Sequence, residues 1–144
     1  MPTAAERRPD VLVDTSVAVA LVVADHDAHD ATVEALRDQH LGLSGHAWFE
    51  TLSVLTRLPP PARRRPGEVV RLLDHEFAAS RFLDPRSQHG LGSELGALGI
   101  AGGAVYDALV GAAAREHRVP LATRDRRAAD VYRALQVTTR LLGG

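Results

Sequence analysis

The chain contains no cysteine and no lysine, and it is poor in aromatic residues. Without cysteine it has no disulfide, no thiol nucleophile and no Cys-based zinc site, which fits a reducing compartment, and we expect a cytoplasmic protein. All 17 basic residues are arginine, so chemistry that depends on lysine is excluded. Aromatic residues make up only 4% of the chain, which argues against extended stacking on nucleic-acid bases.

Long apolar segments are also lacking. The apolar stretch 17–24 is bounded by Asp14 and Asp25 and is shorter than the ~20 residues that a membrane-spanning helix needs. No apolar signal-peptide region is evident, and we expect residues 1–9 to form a loose leader. The net charge of −1 gives no overall attraction to polyanions, so such binding would need a local patch.

The 144 residues are enough for one domain with a sizeable core, and the sequence predicts a single domain over 1–144. Apolar periodicity predicts helices at 15–25, 29–40, 45–58, 67–80, 93–103, 104–117 and 127–135, with a proline-rich connection at 59–68. Short apolar runs predict strands at 11–14, 41–44, 81–84, 119–125 and 136–139. This alternation favours an α/β fold of three layers around a central, mostly parallel sheet of four or five short strands.

Four acidic residues occupy positions that are unusual in this pattern. Asp14 and Asp125 follow predicted strands, where parallel α/β sheets bind ligands. Glu50 and Asp107 interrupt apolar helices. Each has an ordinary explanation, since the aspartates at strand ends could cap helices and the other two acids could face solvent. If all four meet at one place, however, their repulsion raises their pKa values, and hard cations such as Mg²⁺ or Mn²⁺ would be needed to offset the charge.

Several phosphate chemistries are excluded by what is missing. Phosphoacceptor receiver domains, haloacid-dehalogenase-type phosphatases and P-loop enzymes each need a lysine. The segment "LGSEL" around Ser93 does not form the G-x-S-x-G turn of serine hydrolases. The seven histidines form no helical metal-binding pair. Metal-assisted phosphoryl transfer on carboxylates is the chemistry that remains best supported.

Four segments resemble the PIN-domain family, and in particular the VapC toxins of type II (VapBC) toxin–antitoxin modules. They are "VLVDTSVAVALV", "HAWFETLSVLTRLP", "GGAVYDALVGAAAREHRVPLATRDRRAADVY" and "ALQV", and together they span nearly the whole chain in order. The resemblance implies a PIN fold and a metal-dependent endoribonuclease with an acidic quartet of Asp14, Glu50, Asp107 and Asp125. It also assigns supporting hydroxyl groups to Thr15 or Ser16 and to Thr123. Arg124, between Thr123 and Asp125, departs from the apolar residue of the pattern.

The expected mechanism is attack of a metal-activated water on a phosphodiester of cellular RNA, with Mg²⁺ as cofactor and Mn²⁺ as a possible substitute. Asp14, Asp107 and Asp125 would ligate metal, while Glu50 would either ligate it or orient the water. We expect Thr15, Ser16 and Thr123 to hydrogen-bond these carboxylates. The resemblance implies products with 5′-phosphate and 3′-hydroxyl ends.

Contacts to RNA and to protein partners are predicted as well. Arg124, Arg126 and Arg127 adjoin Asp125 and could bind RNA phosphates, although a solvated helix start explains them equally well. With few aromatic residues, specificity would depend on RNA shape and a few exposed bases. The resemblance implies inhibition by a cognate VapB-type antitoxin, a homodimer, and a heterotetramer or larger complex with the antitoxin, with no membrane association.

Two alternatives from other classes stay open. One is an RNA-binding or scaffold module without activity, which the intact acids disfavour. The other is a metal-dependent phosphatase or nuclease that acts on DNA or on small phosphoesters. Cleavage assays on matched RNA and DNA would separate them.

Overall fold

A computed structural model describes residues 1–143 of the chain. Its sheet has four short strands: β1 (Val11–Val13), β2 (Leu41–Leu43), β3 (Leu121–Thr123) and β4 (Thr139–Leu141). All of the strand pairs are parallel, and the spatial order is β2-β1-β3-β4. The central strands β1 and β3 are fully buried, as expected for a parallel sheet covered on both faces. The predicted parallel sheet of four or five strands is therefore confirmed.

Seven helices connect and cover these strands within residues 1–143. They are α1 (Thr15–Val22), α2 (His29–Ala35), α3 (Ala47–Thr56), α4 (Pro66–Glu76), α5 (Pro85–Leu98), α6 (Ala104–His117) and α7 (Arg126–Ala134). α1 packs on α2 and α3, and α3 packs on α4, whereas α6 packs on α7. These two groups provide the outer layers of the predicted α/β/α arrangement. No helix in this described part of the chain is long and apolar enough to cross a membrane.

The strand order places a crevice between β1 and β3. From β1 the chain passes through α1 and α2 to β2 on one side, and from β3 it passes through α7 to β4 on the other side. Where two neighbouring connections leave in opposite directions, the carboxyl ends of the strands border an open crevice. Asp14 and Asp125 lie directly after β1 and β3, so they face this crevice from neighbouring strands.

The strand predicted at 81–84 is wrong. Arg81 forms only an isolated bridge with Ser44, in which its N–H donates to the carbonyl of Leu43 and its carbonyl accepts from the N–H of Gly45. The pairing stops there because Gly45 has a positive φ of 52° and α3 begins at Ala47. The segment nevertheless covers the edge of β2 closely. A Cβ at Gly42 would lie 2.1 Å from the carbonyl oxygen of Ala79, so only glycine fits there.

Other boundaries differ from the prediction for local reasons. α5 begins at Pro85, earlier than predicted, because the Asp84 side chain caps it by accepting a hydrogen bond from the N–H of Arg86. α2 ends at Ala35, and Asp38 beyond it has a positive φ of 63° that helical backbone does not allow. β4 begins at Thr139 rather than at 136, since Gln136 also has a φ of 63°.

Residues 1–9, which were expected to form a loose leader, contain no helix or strand but are held against the domain. The guanidinium of Arg81 donates to the carbonyl of Ala5 at 2.9 Å, and the imidazole of His40 lies 2.8 Å from the carbonyl of Ala4. The Arg8 side chain donates to the carbonyl of His117. Pro9 is buried at the start of β1.

Candidate active site

The four acidic residues line one cleft at the carboxyl edge of the sheet. Each lies at the N-terminal end of a different helix: Asp14 and Asp125 cap α1 and α7, and Glu50 and Asp107 lie in the first turns of α3 and α6. Helix N-termini carry partial positive charge, which stabilises nearby carboxylates. The cleft has a volume of about 280 Å³ and is lined by Asp14, Thr15, Ser16, Glu50, Val54, Arg57, Asp107, Asp125, Ala128 and Tyr132.

Asp14 is buried and fully engaged by hydrogen bonds. Its Oδ1 accepts from the Ser16 hydroxyl at 2.6 Å and from the backbone N–H of Val17 at 3.3 Å, and its Oδ2 accepts from the Tyr132 hydroxyl at 2.8 Å. Burial raises the pKa of Asp14, and these hydrogen bonds, led by that of Ser16, oppose the rise. Asp14 therefore caps α1, as one explanation of its position proposed, and it also lines the cleft.

Asp125 combines the same two roles at the end of β3. Its Oδ1 accepts from the backbone N–H groups of Arg127 at 2.9 Å and Ala128 at 3.3 Å, which caps α7. Its own backbone N–H donates to the Thr123 hydroxyl at 3.0 Å. Within residues 1–143 no donor contacts Oδ2, so the second oxygen is available to the cleft.

The Ser16 hydroxyl joins the two strand ends. It accepts a hydrogen bond from the backbone N–H of Arg124 at 2.8 Å and donates to Asp14, and it lies 3.4 Å from the Thr123 hydroxyl. Ser16 thus contacts a carboxylate, whereas Thr123 contacts the Ser16 hydroxyl and the backbone N–H of Asp125, and the supporting roles of both stay predictions. Thr15 does not contact a carboxylate: its hydroxyl donates to the carbonyl of Ala47 instead, at 3.3 Å. It therefore joins α1 to α3, because its position in the first turn of α1 points it at that helix.

Glu50 and Asp107 form the open side of the cleft. Glu50 is exposed and Asp107 is half-buried, and no side chain or N–H in residues 1–143 donates a hydrogen bond to either carboxylate. Partial burial, together with the charges of Asp125, Glu50 and Asp14, raises the pKa of Asp107 to about 6. This shift shows that the four acids influence one another electrostatically.

Two polar residues of the cleft were not predicted. Tyr132 lies in α7 with its ring buried, and burial together with the Asp14 carboxylate raises the pKa of Tyr132 far above its usual range, so it remains a hydrogen-bond donor. Arg57 follows α3 and is exposed in the cleft. Its spacing of seven residues from Glu50 on the same helix face could have indicated this position.

The three predicted RNA-binding arginines lie in different surroundings. The guanidinium of Arg124 is half-buried and donates to the Thr32 hydroxyl of α2 at 3.2 Å, a placement that does not favour a phosphate contact. Arg126 and Arg127 are exposed at the start of α7. Arg127 is near enough to the cleft for its charge to lower the pKa of Asp107.

The chemistry of this donor set fits a hard divalent cation. All four candidate ligands are carboxylates, which Mg²⁺ and Mn²⁺ prefer, and they converge on one cleft from four helices. As the side chains stand in residues 1–143, no three acidic or histidine residues are close enough to hold one ion.

The chain is thus an α/β protein with a parallel sheet, and an acidic cleft lies at the carboxyl edge of that sheet. The sequence matches the PIN domain over residues 11–134, and the chain belongs to the PIN-domain family. The resemblance to the PIN-domain family noted in the sequence is thereby confirmed.

Two relatives from Mycobacterium tuberculosis cover nearly the same length. The chain is 49% identical over 130 residues to "Ribonuclease VapC27" of strain ATCC 25618 / H37Rv, which covers 90% of this chain and 95% of the relative. It is 44% identical over 131 residues to "Ribonuclease VapC40" of strain CDC 1551 / Oshkosh, covering 90% and 96%. The fold is also similar to the crystal structure of FitAcB from Neisseria gonorrhoeae, with a TM-score of 0.63 and 20% identity over 90% of this chain and 95% of the other.

Proposed function

We propose that this protein is the toxin of a type II toxin–antitoxin module and acts as a divalent-metal-dependent endoribonuclease. The observation that carries the proposal is that four carboxylates from four helices converge on one cleft, at the crevice between β1 and β3. The relatives named ribonucleases, at 44–49% identity over most of the chain, support the choice of RNA as substrate.

The acids have complementary tasks in this proposal. When bound, Mg²⁺ or Mn²⁺ supplies activation of a water molecule and neutralises charge on the phosphodiester. Asp14, Asp107 and Asp125 would hold the cation through their carboxylate oxygens. Glu50 is exposed at the open side, where it can bind the cation or accept a proton from the attacking water.

The surrounding donors keep these acids in place. Ser16 and Tyr132 fix both oxygens of Asp14, so this carboxylate cannot rotate away from the cleft. Thr123 orients the backbone at Asp125. Arg57 and Arg127, both exposed beside the cleft, would contact phosphates that flank the cleaved bond.

The proposed partners follow from the same reasoning. A cognate VapB-type antitoxin would silence the cleft, and the neighbouring reading frame is the place to look for it. We expect the toxin to form a homodimer and to assemble with its antitoxin into a heterotetramer or a larger complex.

Cleavage of matched RNA and DNA strands tests the proposal. We expect RNA to be cut in Mg²⁺ or in Mn²⁺, leaving 5′-phosphate and 3′-hydroxyl ends. Excess EDTA should abolish this cleavage with either metal. Preferential cleavage of DNA or of small phosphoesters would favour the alternative nuclease or phosphatase. RNA binding without cleavage in either metal would favour a scaffold.

A further inference from the structure

The connection from α3 to α4 carries a local excess of positive charge. Residues 57–71, which we call the arginine segment, contain five of the 17 arginines of the chain and one acid, Glu68. The five are Arg57, Arg63, Arg64, Arg65 and Arg71. Within residues 1–143 none of them forms an ion pair with an acidic side chain. Because the whole chain has a net charge of −1, this group of cations without acidic partners is a distinct feature of the surface.

The arginine segment is folded against the C-terminal end of α3. The backbone N–H of Arg64 donates to the carbonyl of Leu55 at 3.3 Å, and its guanidinium donates to the carbonyl of Val22 at the end of α1, at 3.1 Å. The Nε of Arg63 donates to the carbonyl of Leu58 at 2.9 Å. These hydrogen bonds fix the path of the loop, so its arginines have defined positions.

Most of these guanidinium groups have donors to offer. Arg57, Arg63, Arg65 and Arg71 are all exposed. Whereas Arg64 bonds to α1, the side chains of Arg57, Arg65 and Arg71 donate no hydrogen bond within residues 1–143. A guanidinium has five N–H donors and no acceptor, so exposed groups of this kind bind anions.

α3 connects the arginine segment to the acidic cleft. Glu50, Val54 and Arg57 all line the cleft, and their spacing of four and then three residues places them on one face of the helix. Along the helix axis the distance from Glu50 to Arg57 is about 10 Å. Arg57 therefore belongs to both features, and the arginine segment begins where this side of the cleft ends.

The cleft needs such a source of attraction. One divalent cation offsets only half of the charge of the four carboxylates, so the cleft by itself does not attract a polyanion. The net charge of the chain is also negative. A negatively charged strand must then be held by a local positive patch, and the arginine segment directly adjoins the carboxylates.

We propose that the arginine segment binds the backbone of the RNA strand where it leaves the cleft, with Arg63, Arg65 and Arg71 contacting phosphates beyond the one at Arg57. The inference rests on the proposed function and adds to it the path of the RNA across the surface. The planar guanidinium matches phosphate oxygens in two parallel hydrogen bonds. Because phosphates are the same in every sequence, the segment supplies affinity and not sequence specificity.

The salt dependence of binding tests the proposal. The parent protein is Asp14→Asn in Mg²⁺, in which cleavage is suppressed, and the test variant adds Arg63→Gln, Arg65→Gln and Arg71→Gln. For a single-stranded RNA of about twelve nucleotides, we expect binding to weaken about tenfold or more. The slope of log affinity against log salt should fall by about 2, since each phosphate contact of a single strand contributes about 0.7. Equal slopes, or no measurable binding of RNA by the parent, would overturn the proposal.

A second triple variant removes the same charge elsewhere. It carries Arg7→Gln, Arg86→Gln and Arg118→Gln, which are all exposed arginines. They lie near the C-terminal end of α6, opposite to Asp107, because the neighbouring side chains of Arg8 and Ser87 are hydrogen-bonded to that end of the helix. Since the two triple variants have the same net charge, only local contacts can make their slopes differ. An equal decrease of the slope in both would overturn the proposal.

A double variant guards against an effect on folding. Arg65→Gln with Arg71→Gln changes only exposed side chains that donate no hydrogen bond within the described chain, and circular dichroism would verify its fold. Its slope should fall by about 1. A parental slope in this folded variant would contradict the proposal.

Two further results separate this inference from the proposed function and from other partners. In the active protein with Mg²⁺, the three substitutions in the arginine segment should raise KM for the same RNA about tenfold and leave kcat near the wild-type value, because the contacts lie away from the cleaved bond. Normal cleavage with an unchanged slope would refute this inference alone, whereas a lower slope without any cleavage would refute only the proposed function. If the substitutions leave RNA binding unchanged but weaken binding of a protein partner, the segment is a protein interface and the proposal is wrong.

Discussion

Asp14 and Asp125 stand at strand ends within a network of hydrogen bonds, whereas Glu50 and Asp107 stand on helices without any such donors in the described chain. We call the first pair the sheet side of the cleft and the second pair the helix side. The sheet side is held in place by the fold itself, since its carboxylates cap α1 and α7. The carboxylates of the helix side are positioned only by where Glu50 and Asp107 fall on the faces of their helices. The comparison predicts that both sides matter for activity but that they differ in their effect on stability.

The largest expected effect is on catalysis and is shared by both sides. Asp14→Asn and Asp107→Asn should each reduce RNA cleavage about a thousandfold or more, or about 4 kcal/mol in activation free energy, because each removes a negative charge that holds the cation. Initial rates on one RNA in Mg²⁺ measure this. Retention of near-wild-type rates by both variants would refute the assignment of the acidic residues.

Loss of the Asp14 donors should destabilise the sheet side. Tyr132→Phe leaves Asp14 Oδ2 buried without its hydrogen bond at 2.8 Å, which costs about 1–3 kcal/mol of the free energy of unfolding. Urea unfolding with and without Mg²⁺ measures the loss. Thr56→Val is a suitable control, because that hydroxyl donates only within α3, to the carbonyls of Leu52 and Ser53. An unfolding free energy for Tyr132→Phe equal to that of the wild type would show that the network is not structural.

On the helix side, removing a negative charge should stabilise the folded protein. The pKa of Asp107 is raised to about 6, so the folded state holds the proton more tightly than the unfolded chain, and the ionised group destabilises the fold at neutral pH. In EDTA, Asp107→Asn should stabilise the protein by about 1 kcal/mol at pH 7 after solvent screening, or roughly 3 °C in Tm.

This gain should disappear as the pH falls below the ordinary carboxyl pKa, where Asp107 is protonated in both states. Thermal unfolding of the two proteins at pH 7 and pH 4 checks the sign, and the difference in Tm should be clearly smaller at pH 4, where Asp107 is protonated in the folded state and partly protonated in the unfolded chain. A lower Tm for Asp107→Asn at pH 7 would mean that the carboxylates do not repel one another in the metal-free protein.

The smallest expected effect concerns the exposed arginines at the rim. Arg127→Ala should weaken RNA binding modestly and lower the slope of log affinity against log salt by about 1, because one phosphate contact is lost. Arg133→Ala, further along α7 and also exposed, is the matched control. Identical slopes of log affinity against log salt for the two variants would show that Arg127 faces solvent and makes no phosphate contact.

The contrast between the two sides also explains what could be predicted from the sequence. Asp14 and Asp125 follow short apolar runs, and Glu50 and Asp107 interrupt apolar helices, so local pattern alone marked all four. Tyr132 could not be found in this way. It lies in an ordinary amphipathic helix, and only the packing of α7 against α6 and β3 brings its hydroxyl to Asp14.

The grouping of Trp48, Phe49 and Phe82 could not be predicted from the sequence for a similar reason. Composition gives the average frequency of rings, while the meeting of α3, the segment at Phe82 and α6 depends on tertiary structure. The misplaced strand at 81–84 has the same origin, since only Arg81 bridges to Ser44 and Phe82 lies beside Phe49 of α3 instead of extending the sheet. The main strands and helices could be predicted because their periodicity is local.

Binding of Mn²⁺ tests most directly whether the two sides form one site. Titration followed by the electron paramagnetic resonance signal of free Mn²⁺ would compare the wild type with Asp14→Asn from the sheet side and Asp107→Asn from the helix side. Asp130→Asn, an exposed acid on α7, is the control. We expect each cleft variant to weaken Mn²⁺ binding about tenfold or more and the control to bind as the wild type does. Wild-type Mn²⁺ affinity in both cleft variants would contradict the proposal that the four acids form one metal site.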